Sequence, residues 1–103
     1  MRKITQDAIR ALYENKNFKR GNTEVREHHD PSPMNGASSR IMYLHGNPIA
    51  ILQEGKLHIT HAGWPTNTTK ERLNGLPNVH IQQKDFQWYL NGEAWNGNIT
   101  LID

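Results

Sequence analysis

The stretch RIMYLHGNPIAILQEGKLHIT, residues 40–60, decides the fold. Ile41–Leu44, Pro48–Leu52 and Lys56–Thr60 are separated by His45-Gly46-Asn47 and by Glu54-Gly55, where glycine supplies the positive φ of a tight turn. Leu57 and Ile59 alternate with polar neighbours, the period of a strand with one buried face. Pro48 falls at a strand start, where no ladder donor is required. Connections this short join antiparallel neighbours, because a parallel pair needs a crossover of about a dozen residues or more. The segment is predicted to be an antiparallel meander.

Upstream, Thr5 is the expected N-cap of a first helix, with Asp7 near the positive dipole end and Ile4 and Ile9 as a hydrophobic staple. Ala8, Ala11 and Leu12 form its apolar stripe, widened by Ile9 and Tyr13. Asn15, Asn17 and Gly21 end it, and Arg10, Lys16, Lys19 and Arg20 place most of the N-terminal positive charge near its second half. Asn22–Glu27 is a candidate short strand. His28–Ser39 lacks periodicity and holds Pro31, Pro33 and Gly36, so residues 28–39 are expected to be a mobile surface loop dispensable for folding.

Downstream, Thr68 and Glu71 match a T-x-x-E capping box for a second helix, which Gly75 and Pro77 stop within about two turns. Leu73 and Leu76 are its core anchors. Val79–Gln82 and Phe86–Leu90 read as strands around a Lys84-Asp85 turn, Asn91-Gly92 and Asn96-Gly97 as tight turns, and Ile99–Ile102 as a final edge strand. The expectation is a single α+β domain over residues 1–103, with an antiparallel sheet of five to seven short strands and two helices.

A chain of 103 residues suits one domain with a modest core, and only 35% of its residues are hydrophobic. A formal charge of +2 permits nucleic-acid or nucleotide binding without demanding it. The absence of cysteine excludes a disulfide framework and a thiolate zinc site, and suits a reducing compartment. No apolar run approaches the ~20 residues of a membrane span. Met1–Asp7 turns polar where a signal peptide would turn apolar. The expectation is an intracellular protein without membrane association.

The densest polar chemistry lies in His61–Asn74. Trp64 stands beside Gly63, and Thr66, Asn67, Thr68 and Thr69 offer hydroxyls, an amide and the free N–H groups of a helix start. On a functional reading, Trp64, Thr66, Thr69, Lys70, Arg72 and Asn74 bind an anion or polar partner, with Arg10, Lys19 and Arg20 as electrostatic support. Arg72 ranks first, because its planar fork binds phosphate or carboxylate bidentately. On the alternative reading the junction is a capped helix with Trp64 packed inside.

No cofactor or metal is expected. His28-His29-Asp30 are adjacent in a loop, and His58 and His61 are spaced to opposite faces of a strand. Serine occurs only at Ser32, Ser38 and Ser39, with no nucleophile elbow and no phosphate loop anywhere, so an enzyme is not expected. Trp88 and Tyr89 should face opposite ways. Core packing is favoured for these aromatics, although an exposed Tyr89 or Trp95 would be an interface anchor.

The junction resembles a motif of small phage-encoded proteins, approximately G-G-W-x-T-x-T-T-K-x-R-x-N after a short strand. Gly63, Trp64, Thr66, Thr68, Thr69, Lys70, Arg72 and Asn74 match it, and Ala62 stands in place of the first glycine. Similar contexts at Tyr43–Asn47 and Trp88–Gly92 extend the resemblance over most of residues 4–95, apart from the 28–39 loop. It implies a phage accessory protein of the host cytoplasm. The leading expectation is a non-enzymatic counter-defence or host-takeover inhibitor that binds a host protein complex. The other is a binder of phosphate-bearing ligands, nucleic acid or a signalling nucleotide, through Trp64–Asn74.

Overall fold

The meander predicted over residues 40–60 forms the centre of a six-stranded sheet in the computed structural model, which describes residues 2–29 and 38–102. The elements are α1 (Lys3–Tyr13), β1 (Phe18–Arg20), β2 (Thr23–His29), β3 (Ser38–Leu44), β4 (Asn47–Gln53) and β5 (Lys56–Ile59). They continue as α2 (Asn67–Asn74), β6 (Ile81–Lys84), β7 (Gln87–Leu90), β8 (Glu93–Trp95) and β9 (Thr100–Ile102). The larger sheet has the order β1-β2-β3-β4-β5-β9, and β6-β7-β8 forms a second sheet. Every pairing among the described strands is antiparallel. The α+β class holds, but the sheet is split in two and the strands among the described residues number nine. Phe18–Arg20 and Glu93–Trp95, three residues each, escape a reading based on apolar periodicity.

Glycine sets the meander's register. His45-Gly46 and Glu54-Gly55 have φ of 51° and 81°, and 52° and 77°, the doubly positive signature of the turn that matches strand twist. Met42 faces Ala50 while Tyr43 faces Pro48, so Ile49 is an extra residue on β4. A bulge of this kind bends its strand. Here it leaves the buried Ile49 at the floor of the pocket described below.

Helix α1 packs against β1, β2 and β3 through Ala8, Ala11 and Leu12, all buried. The stripe is as expected, but the cap is not. Arg2 occupies the N-cap without a side-chain bond, and Thr5 lies buried inside the helix. Its hydroxyl is drawn inward by partners on α2 rather than left to cap its own helix. Lys19 and Arg20 stand on edge strand β1, which follows α1. An edge strand tolerates charge on its solvent face, which hides it from hydrophobic periodicity.

The ends of the expected 28–39 loop are strand: His28 pairs with Ser39 and His29 with Ser38. Residues 30–37 lie outside the described residues. Among the described residues no helix is long and apolar enough to cross a membrane.

The core joins α1, the larger sheet, Leu73 and Leu76 from the α2 region, and Trp88, Leu90 and Trp95 from the smaller sheet. Leu12→Asp would place an unpaired carboxylate where the native side chain is 1% exposed. Loss of several kcal/mol, about 3 or more, is expected, enough to abolish a cooperative thermal transition in circular dichroism. An unchanged melting temperature would contradict this placement of α1.

Candidate functional site

Beyond β5 the chain is pinned before it turns. The Thr60 hydroxyl donates to the Gly97 carbonyl at 2.6 Å and accepts from the Ala62 N–H at 3.0 Å. The His61 N–H donates to the same Gly97 carbonyl at 3.1 Å. Ala62 and Gly63 then both take positive φ, 56° and 83°, and the Trp64 N–H closes the turn on the His61 carbonyl at 2.9 Å. A glycine pair fits this conformation best, and Ala62 adopts it at the expense of some strain.

His61 is the wedge between the two sheets. Its ring lies 5.7 Å from Trp88, edge to face, and 5.9 Å from Trp95. Its Nδ1 accepts from the Gly63 N–H at 2.9 Å, which puts the proton of the neutral imidazole on Nε2. Gly97 lies so close that a Cβ there would stand 1.9 Å from the ring. Trp88 and Trp95 are paired across β7 and β8 and buried, so Trp95 belongs to the core and not to an interface.

The turn throws Trp64 outward to 61% exposure. It stands at a pocket of about 390 Å³ whose apolar walls are Leu44, Ile49 and Ala62. His45, Asn47, His61, Thr66, Thr68 and Thr69 also line it, and among the described residues no lysine, arginine or carboxylate takes part. A cleft of this size, mainly apolar with a few placed polar groups, has the general character of a ligand or side-chain receptor.

The candidate residues of the junction divide sharply. Trp64, Thr66 and Thr69 line the pocket. Lys70 does not; its ammonium donates to the Gln83 side chain at 3.1 Å. Asn74 clamps β6, giving one hydrogen bond to the Ile81 carbonyl at 3.1 Å and taking one from its N–H at 2.6 Å.

Arg72, the expected ligand-binding fork, is 1% exposed. Its guanidinium donates to the hydroxyls of Thr23 at 3.1 Å and Thr5 at 2.9 Å, and to the Asn22 side chain at 3.3 Å. It also pairs with the Glu71 carboxylate, which in turn accepts from Thr5 at 2.5 Å. Arg72 is therefore a structural tie between α2, α1 and β2, and is closed to a ligand.

The supporting cations are dispersed. Arg10 pairs loosely with Glu14 at 3.9 Å, and Lys19 is exposed on β1. Arg20 donates to Asp7 at 2.9 Å and lies 5.1 Å from the Phe18 ring. That guanidinium is the main reason the Asp7 carboxyl titrates below its ordinary value. None of the three lines the pocket. Among the described residues no group of three or more histidine, aspartate or glutamate side chains is arranged to hold a metal ion.

The capping box is shifted as well. Thr66 is the N-cap of α2, its hydroxyl accepting from the Thr69 N–H at 3.2 Å, while Glu71 turns away to Arg72 and Thr5. Thr66→Ala is expected to cost about 1 kcal/mol, whereas Thr68→Ala is expected to be neutral or to gain a few tenths through the higher helix propensity of alanine. Urea unfolding of the two variants measures this, and the reverse order would restore Thr68 as the cap.

Two contributors lie outside the candidate set. His61 has no local signal of its role, because its partner Gly97 is remote in sequence. Phe86, 97% exposed at φ 68°, borders a second recess of about 290 Å³ that His61 also lines.

Fold and site together define a small α+β protein with a largely apolar pocket beside an exposed tryptophan. The family model described as Kyanoviridae Gp96 protein matches residues 1–100. The chain belongs to that family and is a phage accessory protein. No curated protein and no solved structure matches it.

Proposed function

We propose that this phage protein is a non-enzymatic counter-defence or host-takeover inhibitor, acting by binding a host protein complex through the face around Trp64. The observation that carries the reading is a tryptophan 61% exposed at a pocket lined, among the described residues, by no lysine, arginine or carboxylate. Large aromatics at the rim of an apolar recess are the residues that dominate protein–protein binding energy. They are held on a braced turn, so little conformational freedom is lost on docking.

A phosphate site finds less support. Arg72 is consumed by Glu71, Thr5, Thr23 and Asn22, Arg20 by Asp7, and Lys70 by Gln83. Backbone N–H groups at the start of α2 remain, but phosphate recognition draws most of its affinity from convergent cations.

The test is capture from a nuclease-treated host lysate, with wild-type and Trp64→Ala proteins as baits. A discrete set of host subunits retained by wild type and lost with Trp64→Ala is the expected result. Retention that vanishes on nuclease treatment, or that ignores Trp64, would overturn the reading.

A further inference from the structure

The larger sheet keeps one face in the core and one outside it. Val25, Met42, Ala50 and Ile59 register across β2, β3, β4 and β5, and all belong to the core that holds α1 and Leu73 of α2. One residue along each strand, the side chains point the other way. There Arg26 registers with Ile41, Ile41 with Ile51, Ile51 with His58 and His58 with Leu101, a single row from β2 to β9. Ile41 is buried, yet it takes no part in the core cluster. Among the described residues both helices pack on the core side, which leaves this row uncovered by either.

This outer face is cationic. Tyr43, two residues from Ile41 on β3, registers with Glu24, and Glu24 registers with Lys19. Lys56 lies two residues from His58 on β5 and so shares its face. Lys19, Arg26 and Lys56 are all exposed. Among the described strand residues that point this way, Glu24 is the one carboxylate. The Arg26 guanidinium stands 4.4 Å from the Tyr43 ring centroid and 3.8 Å from Glu24. Ring and carboxylate together orient the cation.

We propose that this face binds a single nucleic-acid strand, its phosphates on Lys19, Arg26 and Lys56 and its bases on the Arg26–Tyr43 pair and His58. Charge complementarity favours a polyanion, and the planar groups favour bases. Unpaired bases stack on aromatic rings and guanidinium planes, while cations track the backbone. The apolar side chains of Ile41 and Ile51 between Arg26 and His58 suit base faces as well. Width excludes a duplex groove. Five strand spacings of about 4.8 Å make the six-stranded face about 24 Å across, twice the roughly 12 Å of a major groove. DNA and RNA strands share the phosphates and base faces used here. The face shares no lining residue with the pocket beside Trp64 and does not depend on the host complex proposed above.

Fluorescence anisotropy of the full chain with a labelled single-stranded DNA tests this. The probe is about 12 nucleotides long, inside the roughly 4–16 that a comparable strand-binding fold occupies. Three phosphate contacts predict a log–log salt slope of about −2, so affinity is expected to fall roughly 15–20-fold between about 50 and 200 mM salt. Arg26→Ala is expected to weaken binding roughly tenfold or more, through a lost stacking surface and a lost charge. Lys56→Ala is expected to weaken it less and to flatten the salt slope by about 0.7. Both side chains are exposed, so both variants should melt with wild type. Trp64→Ala is expected to bind the probe as wild type does. No binding at the lower salt, equal binding of the matching duplex, loss of binding with Trp64→Ala, or undiminished binding by both Arg26→Ala and Lys56→Ala would overturn the proposal.

Discussion

Arg72→Met is expected to remove about 3–5 kcal/mol of stability, the loss that follows when one partner of a buried ion pair is deleted. The guanidinium is 1% exposed and serves four side chains on three parts of the chain. Methionine fills much of the same space but leaves the Glu71 carboxylate unpaired and strands Thr5, Thr23 and Asn22 without their donor. Arg72→Lys keeps the charge and loses the fork, so it is expected to cost less, about 1–3 kcal/mol. Against a typical domain stability of about 5–15 kcal/mol, the methionine loss is a large share of the total. Equilibrium urea denaturation measures both. A lysine variant as stable as wild type but defective in partner binding would return Arg72 to the functional surface.

Gly97→Ala is also expected to be strongly destabilising. A methyl group there would meet His61 Cδ2 and Nε2 at 1.9 Å, on a backbone whose φ is +84°. Strain of this kind costs about 1–3 kcal/mol, and overpacking adds about as much again. The ring must move, and with it the wall shared by the Trp64 pocket and the Phe86 recess. Near-ultraviolet circular dichroism should report the change through Trp88 and Trp95, which His61 contacts. In a His61→Ala background the packing component should disappear and the backbone component remain, giving a double-mutant cycle with clear coupling. Equal costs in both backgrounds would mean that Gly97 does not press on His61.

The parts of the fold legible in the sequence are those specified locally. His45-Gly46, Glu54-Gly55 and Asn91-Gly92 announce their turns because glycine sits where φ is positive, and the strands between them follow. Leu73, Leu76 and the Ala8/Leu12 stripe are legible because burial alone explains them. The failures share a different cause. Which of Thr66, Thr68 and Thr69 caps α2 depends on where Glu71 goes, and Glu71 is drawn to Thr5 on another helix.

The reading of Arg72 as a ligand-binding fork rests on the bidentate geometry of its guanidinium, which a structural partner can equally use. Burial of Arg72 depends on Thr23 and Thr5, which lie 49 and 67 residues away in the chain. The Asp85-Phe86 turn was placed one residue early, at Lys84-Asp85, because phenylalanine is a strand former and a poor turn residue. That misplacement marks the position where the chain departs from its own local preferences, and such departures concentrate at functional sites.

The proposed contact with a host complex is made through the aromatic face around Trp64 rather than through charge. The most direct measurement is the salt dependence of affinity between the purified protein and the host complex that it captures. Affinity that changes only slightly over the physiological salt range, and falls with Trp64→Ala, is the expected result. A contact neutralising several phosphates would instead weaken by roughly 10³–10⁵ between about 50 and 200 mM salt. That steep loss, with Trp64→Ala binding normally, would contradict the account.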